Sequence, residues 1–290
     1  MVGRRLIPML IAKGHDVVAT TTTPRKIEAL RALGATPVVL DALDREAVIK
    51  AITDAKPEVI VHQMTALASL RNLKHFDDEF AVTNRLRTEG TEHLLAGAKN
   101  VGTKLFIAQS YCGWPSGPGG SRVKTEDEPF DPNPVKSMSK TLAAIRKLEQ
   151  LVTGVNGIVL RYGNLYPAEA LIEMVRKRMF PVVGDGGGVW SHLHLEDAAG
   201  AVVAAIERSV PGIYNIVDDE PAEVAVWLPE LARIVGAKKP MRIPVWLARL
   251  MIGEAGVFMM TKLRGSSNAK AKRVLGWTPR YASWREGFRA

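Results

Sequence analysis

The strongest constraint in this chain is its rhythm: short β-rich runs alternate with helical stretches from residue 17 to residue 161. Val17-Val18-Ala19-Thr20, 37–40, Val59-Ile60-Val61, 104–108 and 157–161 read as strands. Between them 24–33, 46–52 and 77–98 read as helices, as does the run marked by Leu142, Ile145, Leu148, Leu151 and Val152 at three- and four-residue spacing. Strands separated by crossovers of helix length imply a parallel sheet covered on both faces. Beyond residue 165 the pattern is mixed, with helices over 168–178, 195–208, 224–235 and 244–250 and a short strand over 213–217. The expectation is an α/β chain with a sheet domain over 1–165. A smaller mixed lobe over 166–290 then closes a cleft at the strand ends.

The opening Met1-Val2-Gly3-Arg4-Arg5-Leu6-Ile7 reads as the last step of a glycine turn running straight into a helix. Such a turn ordinarily follows a strand, and its glycines let the backbone approach a pyrophosphate that side chains would hold away. That strand and the earlier glycines are not in the sequence. The sheet is therefore expected to lack its first strand, in a chain that is N-terminally incomplete through a shortened reading of a longer one.

A 47% hydrophobic and 24% charged composition over 290 residues is that of a folded enzyme. The single Cys112 excludes an intramolecular disulfide. With no cleavable leader pattern, it points to a reducing, cytoplasmic setting. The apolar segment 243–260 is broken by Arg249, Glu254 and two glycines, so it reads as a buried helix pair, not a membrane span. The net charge of +9 is spread along the chain with no basic block interleaved with aromatics, which argues against nucleic-acid binding. His192, His194 and Asp197 are too few for a zinc site. Gly-x-Ser-x-Gly is absent, so an α/β-hydrolase is excluded.

Several segments, in order, resemble the extended short-chain dehydrogenase/reductases of the NAD-dependent epimerase/dehydratase type, over nearly the whole chain. Gly3 matches the last glycine of the family's opening fingerprint, and Arg4-Arg5-Leu6 the start of its first helix. Asp41, in Val39-Leu40-Asp41-Ala42, resembles the acid that bonds the adenine ring. His62-Gln63-Met64-Thr65 stands at the turn beside the cofactor, and Gly90-Thr91 with Leu94-Leu95 fits the fourth helix. Arg87 sits where that motif usually carries asparagine. Leu160-Arg161-Tyr162-Gly163-Asn164-Leu165-Tyr166-Pro167, His194-Leu195-Glu196-Asp197 and Leu275-Gly276-Trp277-Thr278-Pro279 match later motifs. The resemblance implies a Rossmann-like fold, a dinucleotide cofactor, a small polar or sugar-like substrate and a homodimer.

Two departures bear on chemistry. The family pairs a tyrosine with a lysine four residues later, the lysine lowering the tyrosine's pKa for proton exchange. Here Lys140 takes the lysine place with Lys136 in the tyrosine place. Aligning Glu149 with the family's helical glutamate instead puts Thr141 and Ile145 in the pair. Neither register gives Tyr-x-x-x-Lys. Ser110, at the end of a strand, and Tyr111 beside it are then the candidate catalytic groups, with Lys140 as electrostatic support. The second departure is a short connection after Tyr166-Pro167, where the family has a longer substrate-contacting loop.

For the cofactor, the resemblance assigns Gly3, Arg4, Thr21, Thr22, Arg25, Lys26, Asp41, Ala42, Gln63, Met64 and Thr65. Thr20-Thr21-Thr22-Thr23-Pro24-Arg25-Lys26 has no acid for a bare ribose, and its cations suit a 2′-phosphate, so NADP is favoured over NAD. The function implied is an NAD(P)-dependent oxidoreductase or epimerase/dehydratase. The alternative is a nucleotide-sensing or scaffold protein that keeps the fold without turnover.

Overall fold

The computed structural model describes residues 1–67 and 72–290. β1 (Val18–Thr21) pairs in parallel with β2 (Thr36–Val39). β3 (Val59–His62), β4 (Leu105–Tyr111), β5 (Ile158–Tyr162) and β6 (Gly212–Ile216) form a second parallel ladder in the order β6-β5-β4-β3. Among the described residues no backbone ladder joins β1 to β3, and the expected first strand would pair in that interval. The helices are α1 (Gly3–Ala12), α2 (Ile27–Arg31), α3 (Arg45–Ala55), α4 (Phe76–Glu79), α5 (Ala81–Arg85), α6 (Thr91–Val101), α7 (Ser139–Thr153), α8 (Glu169–Arg176), α9 (Leu195–Arg208), α10 (Val224–Ile234) and α11 (Val245–Thr261), with two short ones beyond.

Period-two alternation sends the two faces of the sheet into two cores. Ile107, Ile158 and Leu160 pack with Leu6 and Leu10 of α1 and Ala198 and Val202 of α9. Phe106, Ala108 and Val159 pack with Ile52 of α3, Leu94 of α6 and Leu148 and Val152 of α7. Burial on both faces explains why these strands read as continuous apolar runs. The chain crosses the expected division at 165 more than once, because α9 and β6 belong to the main sheet and its cover. The C-terminal lobe has its own core around Tyr166, Val183, Trp227, Leu231 and Trp284.

Three local departures matter for the site. The helical region expected over 77–98 is broken into α4, α5, a π-helical stretch Leu86–Gly90, and α6, which stops at Gly102 in a left-handed conformation with φ +70°. β4 runs past residue 108, so Ser110 and Tyr111 lie inside the strand. The helix expected over 244–250 continues to Thr261 with a break at Gly253. There φ is +70°, and an added Cβ would stand 2.9 Å from the Lys74 Cα, so only glycine fits.

Candidate active site at the strand ends

Alternation along β4 assigns Ser110 and Tyr111 to opposite faces. Ser110 shares a side with Phe106 and Ala108, under α7. It is 1% exposed and donates its Oγ hydrogen to Glu149 Oε1 at 2.8 Å. Glu149 also accepts a bidentate pair from Arg161, Nε at 2.8 Å and Nη2 at 2.7 Å. Ser110 therefore braces a buried ion pair between α7 and β5, and its hydroxyl is committed there instead of facing a substrate.

Tyr111, half-buried, points the other way and donates to Asn164 Oδ1 at 3.0 Å. Its ring lies 4.2 Å from Trp114 between centroids, and Trp114 meets Phe76 and Phe80 edge-on at 5.0 and 5.3 Å. Burial raises the Tyr111 pKa, so the phenol stays protonated at neutral pH. An aromatic wall thus continues from the end of β4 to α4. Trp114, Val135, Met138, Leu142 and Phe258 line a narrow recess beside it.

Glu149 also settles the register of α7. Thr141, Ile145 and Glu149 recur at four-residue spacing and are all buried, on the inward face. Lys136 and Lys140 are exposed, which turns the Lys140 ammonium away from the support expected of it; among the described residues only its backbone N–H is engaged, donating to Asp77 Oδ2 at 3.0 Å. Asp77 also accepts from the Thr141 N–H at 2.8 Å and its hydroxyl at 2.7 Å, capping the helix from α4. The inward face of α7 thus carries a capped threonine and an isoleucine, with neither a phenol nor an ammonium group.

The residues expected to hold a cofactor are spread over the starts and ends of these elements. Gly3 opens α1, and a Cβ added there would meet nothing within 4 Å. Arg4, Thr22, Arg25 and Lys26 are exposed. Thr21 ends β1, and its Oγ1 accepts from the Thr23 N–H at 3.1 Å. The α-amino group of Met1 has its pKa lowered by burial and then by Arg4, Arg5 and Lys26, which gathers those cations at one corner. After β2, Asp41 is exposed and holds the turn by accepting from the Leu43 N–H at 2.9 Å. Ala42 is buried, and its carbonyl accepts from His93 Nδ1 at 3.0 Å. After β3, Gln63 donates to Tyr162 Oη at 3.0 Å, Met64 is half-buried and Thr65 is exposed.

His62 was expected at the turn after β3, and Arg87 had no role assigned from sequence. His62 is 2% exposed, with Nε2–H donating to the Leu86 carbonyl at 3.2 Å while Nδ1 accepts from the Met64 N–H at 3.3 Å. Burial, assisted by the Arg87 charge and opposed by the Leu86 bond, lowers its pKa to about 4, so it is neutral. Arg87 is 3% exposed, and burial lowers its pKa to about 10, which leaves it charged. Its place where the resemblance calls for asparagine was the available signal.

The profile of the NAD dependent epimerase/dehydratase family matches residues 1–217. A 3-diazoavenalumate denitrifying reductase from a Streptomyces species is 41% identical over 301 residues, covering 99% of this chain and 96% of that protein. A 4-hydroxy-2-methyl-3-oxo-4-farnesyl-3,4-dihydroquinoline-1-oxide ketoreductase from Stigmatella aurantiaca is 25% identical, covering 96% and 89%. Among solved structures, UDP-glucose 4-epimerase from Thermotoga maritima superposes with a TM-score of 0.77 at 22% identity, covering 100% of this chain and 93% of that one.

Proposed function

We propose that this chain, which belongs to the NAD dependent epimerase/dehydratase family, is a reductase that replaces the diazo group of a small aromatic acid with hydrogen. The family is one of dinucleotide-dependent oxidoreductases and epimerases, and the present reading narrows that class. The observation that carries it is the inward face of α7. Thr141 and Ile145 supply no proton relay, and hydride replacement of a diazonium group needs none. The carbon–nitrogen bond breaks with its electron pair leaving on dinitrogen, and a carbon–hydrogen bond forms from the hydride that the bound dinucleotide supplies. Hydride and arenediazonium go in; arene and dinitrogen come out; no proton is transferred. Carbonyl reduction, by contrast, needs a proton at oxygen.

Tyr111 and Trp114, half-buried and backed by the buried rings of Phe76 and Phe80, suit a flat ring, because aromatic faces and edges pair with one another. The activity of the 41% identical relative, a denitrifying reductase of a diazo compound, supports the same reading. For the cofactor, Asp41 and Ala42 fit an adenine, Gln63 and Met64 flank the adjoining strand end, and open space at Gly3 allows close backbone approach. Arg4 and Lys26, gathered at the start of α1, favour the additional phosphate of NADP.

The test combines the purified protein with 4-deuterated NADPH and a 3-diazonium derivative of a 4-hydroxyphenyl carboxylic acid. Deuterium bonded to the arene carbon, with dinitrogen released one for one with cofactor oxidised, is expected. Oxidation of NADPH by ketones but not by the diazonium compound would replace this reading with a second one. In that reading Tyr111, protonated and held by Asn164, is the proton donor of a ketoreductase.

A further inference from the structure

Asn84, Arg87 and Thr91 follow at helical spacing along α5, the π-helical stretch and α6, and so share one face. Asn84 Nδ2 donates to Thr141 Oγ1 at 3.0 Å, which seats that face against the inward face of α7. The charge of Glu149, two turns further along α7, is felt at Arg87. Both helices are read in the same direction by these two relations. Arg87 follows Leu86, whose carbonyl receives the His62 Nε2–H, so it lies beside the end of β3 and on the side of this helical run that meets α7.

The charges at this place do not balance. Glu149 is saturated by Arg161 and Ser110, so its single negative charge already has a cation in direct contact. His62 is neutral. Arg87 adds a second guanidinium, and its Nε and Nη1 are buried with no hydrogen-bond partner among the described residues. Asn84 Oδ1, on the same face, is a third buried polar atom without a partner. An ionised group taken out of water without an acceptor is among the costliest arrangements a fold can hold, unless a ligand completes it.

We infer that Arg87 is the subsite for one oxyanion of the aromatic substrate, a carboxylate or a phenolate oxygen received by Nε and Nη1. The inference rests on the reductase reading given above, because it takes the ring to lie along the aromatic wall. A guanidinium is suited to it: planar, always charged, and able to present two parallel N–H groups to one oxyanion. Placed there, it orients the ring by its charged substituent and transfers no proton. It is a positioning residue and leaves the bond changes to hydride and leaving group.

The experiment titrates the wild-type chain, Arg87→Lys and Arg87→Met with three probes by calorimetry, in the presence of NADP+. The probes are 3-phenylpropionate (carboxylate only), 4-cresol (phenol only) and the neutral 3-phenylpropionamide. Thermal unfolding of each variant accompanies the titrations. Wild type should bind one of the two oxygen acids at least about tenfold more tightly than the amide, the scale of a buried charge-assisted bond. Arg87→Met should lose that preference while NADP+ affinity holds, and Arg87→Lys should keep part of it. Which acid responds distinguishes carboxylate from phenolate. Equal binding of all probes to folded wild type and Arg87→Met overturns the inference, as does a loss confined to NADP+. Arg87-dependent acid binding without diazonium turnover would sink the reductase reading and leave the subsite standing. Full diazonium turnover by Arg87→Met, with unchanged KM, would do the reverse.

Discussion

The Ser110–Glu149–Arg161 cluster beneath α7 and the Tyr166–His192–Asp218 cluster in the C-terminal lobe are both almost wholly buried, yet they are partnered differently. In the first, every Glu149 oxygen is engaged, at 2.7 to 2.8 Å, and the charge left over is on Arg87. In the second, Tyr166 Oη, both His192 nitrogens and Asp218 Oδ2 lack partners among the described residues, and rings of Trp227, Trp284 and Phe288 stand around the imidazole. Burial there discharges the groups: His192 falls to about 3 and Asp218 rises to about 8. A buried group that can neutralise itself costs stability and asks for nothing more. A guanidinium cannot do so, which is why the unpaired group that points to a ligand lies at the sheet and not in the lobe.

The largest expected effect comes from breaking the satisfied cluster. Glu149→Gln keeps the shape but leaves Arg161 and Arg87 as two buried cations without an anion. The loss should be about 3–5 kcal/mol, read by urea unfolding at neutral pH. A loss under about 1 kcal/mol would mean that water reaches the cluster, and the contrast with the lobe would collapse. The C-terminal half of the molecule should answer differently.

Substituting His192→Phe removes two unpartnered nitrogens from an aromatic box, and its effect should depend on pH. The folded pKa of His192 lies below the 6.5 of an unfolded histidine, so its contribution is complete above about pH 6.5 and is lost as pH falls towards 3. His62 adds a loss of the same sign, ending near pH 4. Asp218 runs oppositely: its carboxyl, raised from 3.8, contributes most below that value and loses the contribution as pH rises to about 8. Relative to wild type, His192→Phe should therefore gain about 2 kcal/mol more at pH 5 than at pH 8, one and a half pKa units at 1.36 kcal/mol each. Equal shifts at the two pH values would show that the imidazole is hydrated, and the two clusters would no longer differ in kind.

Much of this architecture was legible because periodicity is a property of neighbours in sequence. The helix Leu195–Arg208 agrees with its expected span, and β3 and β5 with theirs within a residue. What was not legible depended on facing. Ser110 and Tyr111 are adjacent, and counting twos from Phe106 would have sent Ser110 under α7 and Tyr111 towards Asn164, had the strand been taken past residue 108. The α7 register was open for a related reason. Lys136 and Lys140 match the spacing of a catalytic pair, while the spacing of Thr141, Ile145 and Glu149 becomes decisive only once Arg161 supplies the partner for Glu149. Arg161 and Glu149 come from different elements, and no local pattern announces that they meet.

The smallest expected effect sharpens the comparison at the site itself. Tyr111→Phe removes one hydroxyl from the aromatic wall and leaves its ring against Trp114. If hydride displaces dinitrogen, no proton is needed at that point, and diazonium turnover should stay within about twofold of wild type, since a lone neutral hydrogen bond carries only about 1 kcal/mol. If the phenol is instead a general acid, the same change should lower turnover by about a hundredfold or more. Under that mechanism the wild-type rate should stay flat across neutral pH, because the buried phenol remains protonated there. Steady-state rates of both proteins across neutral pH separate the cases. A large loss would place the working acid at Tyr111, making the site a ketoreductase's, with Arg87 steering a carbonyl substrate in place of a diazonium one.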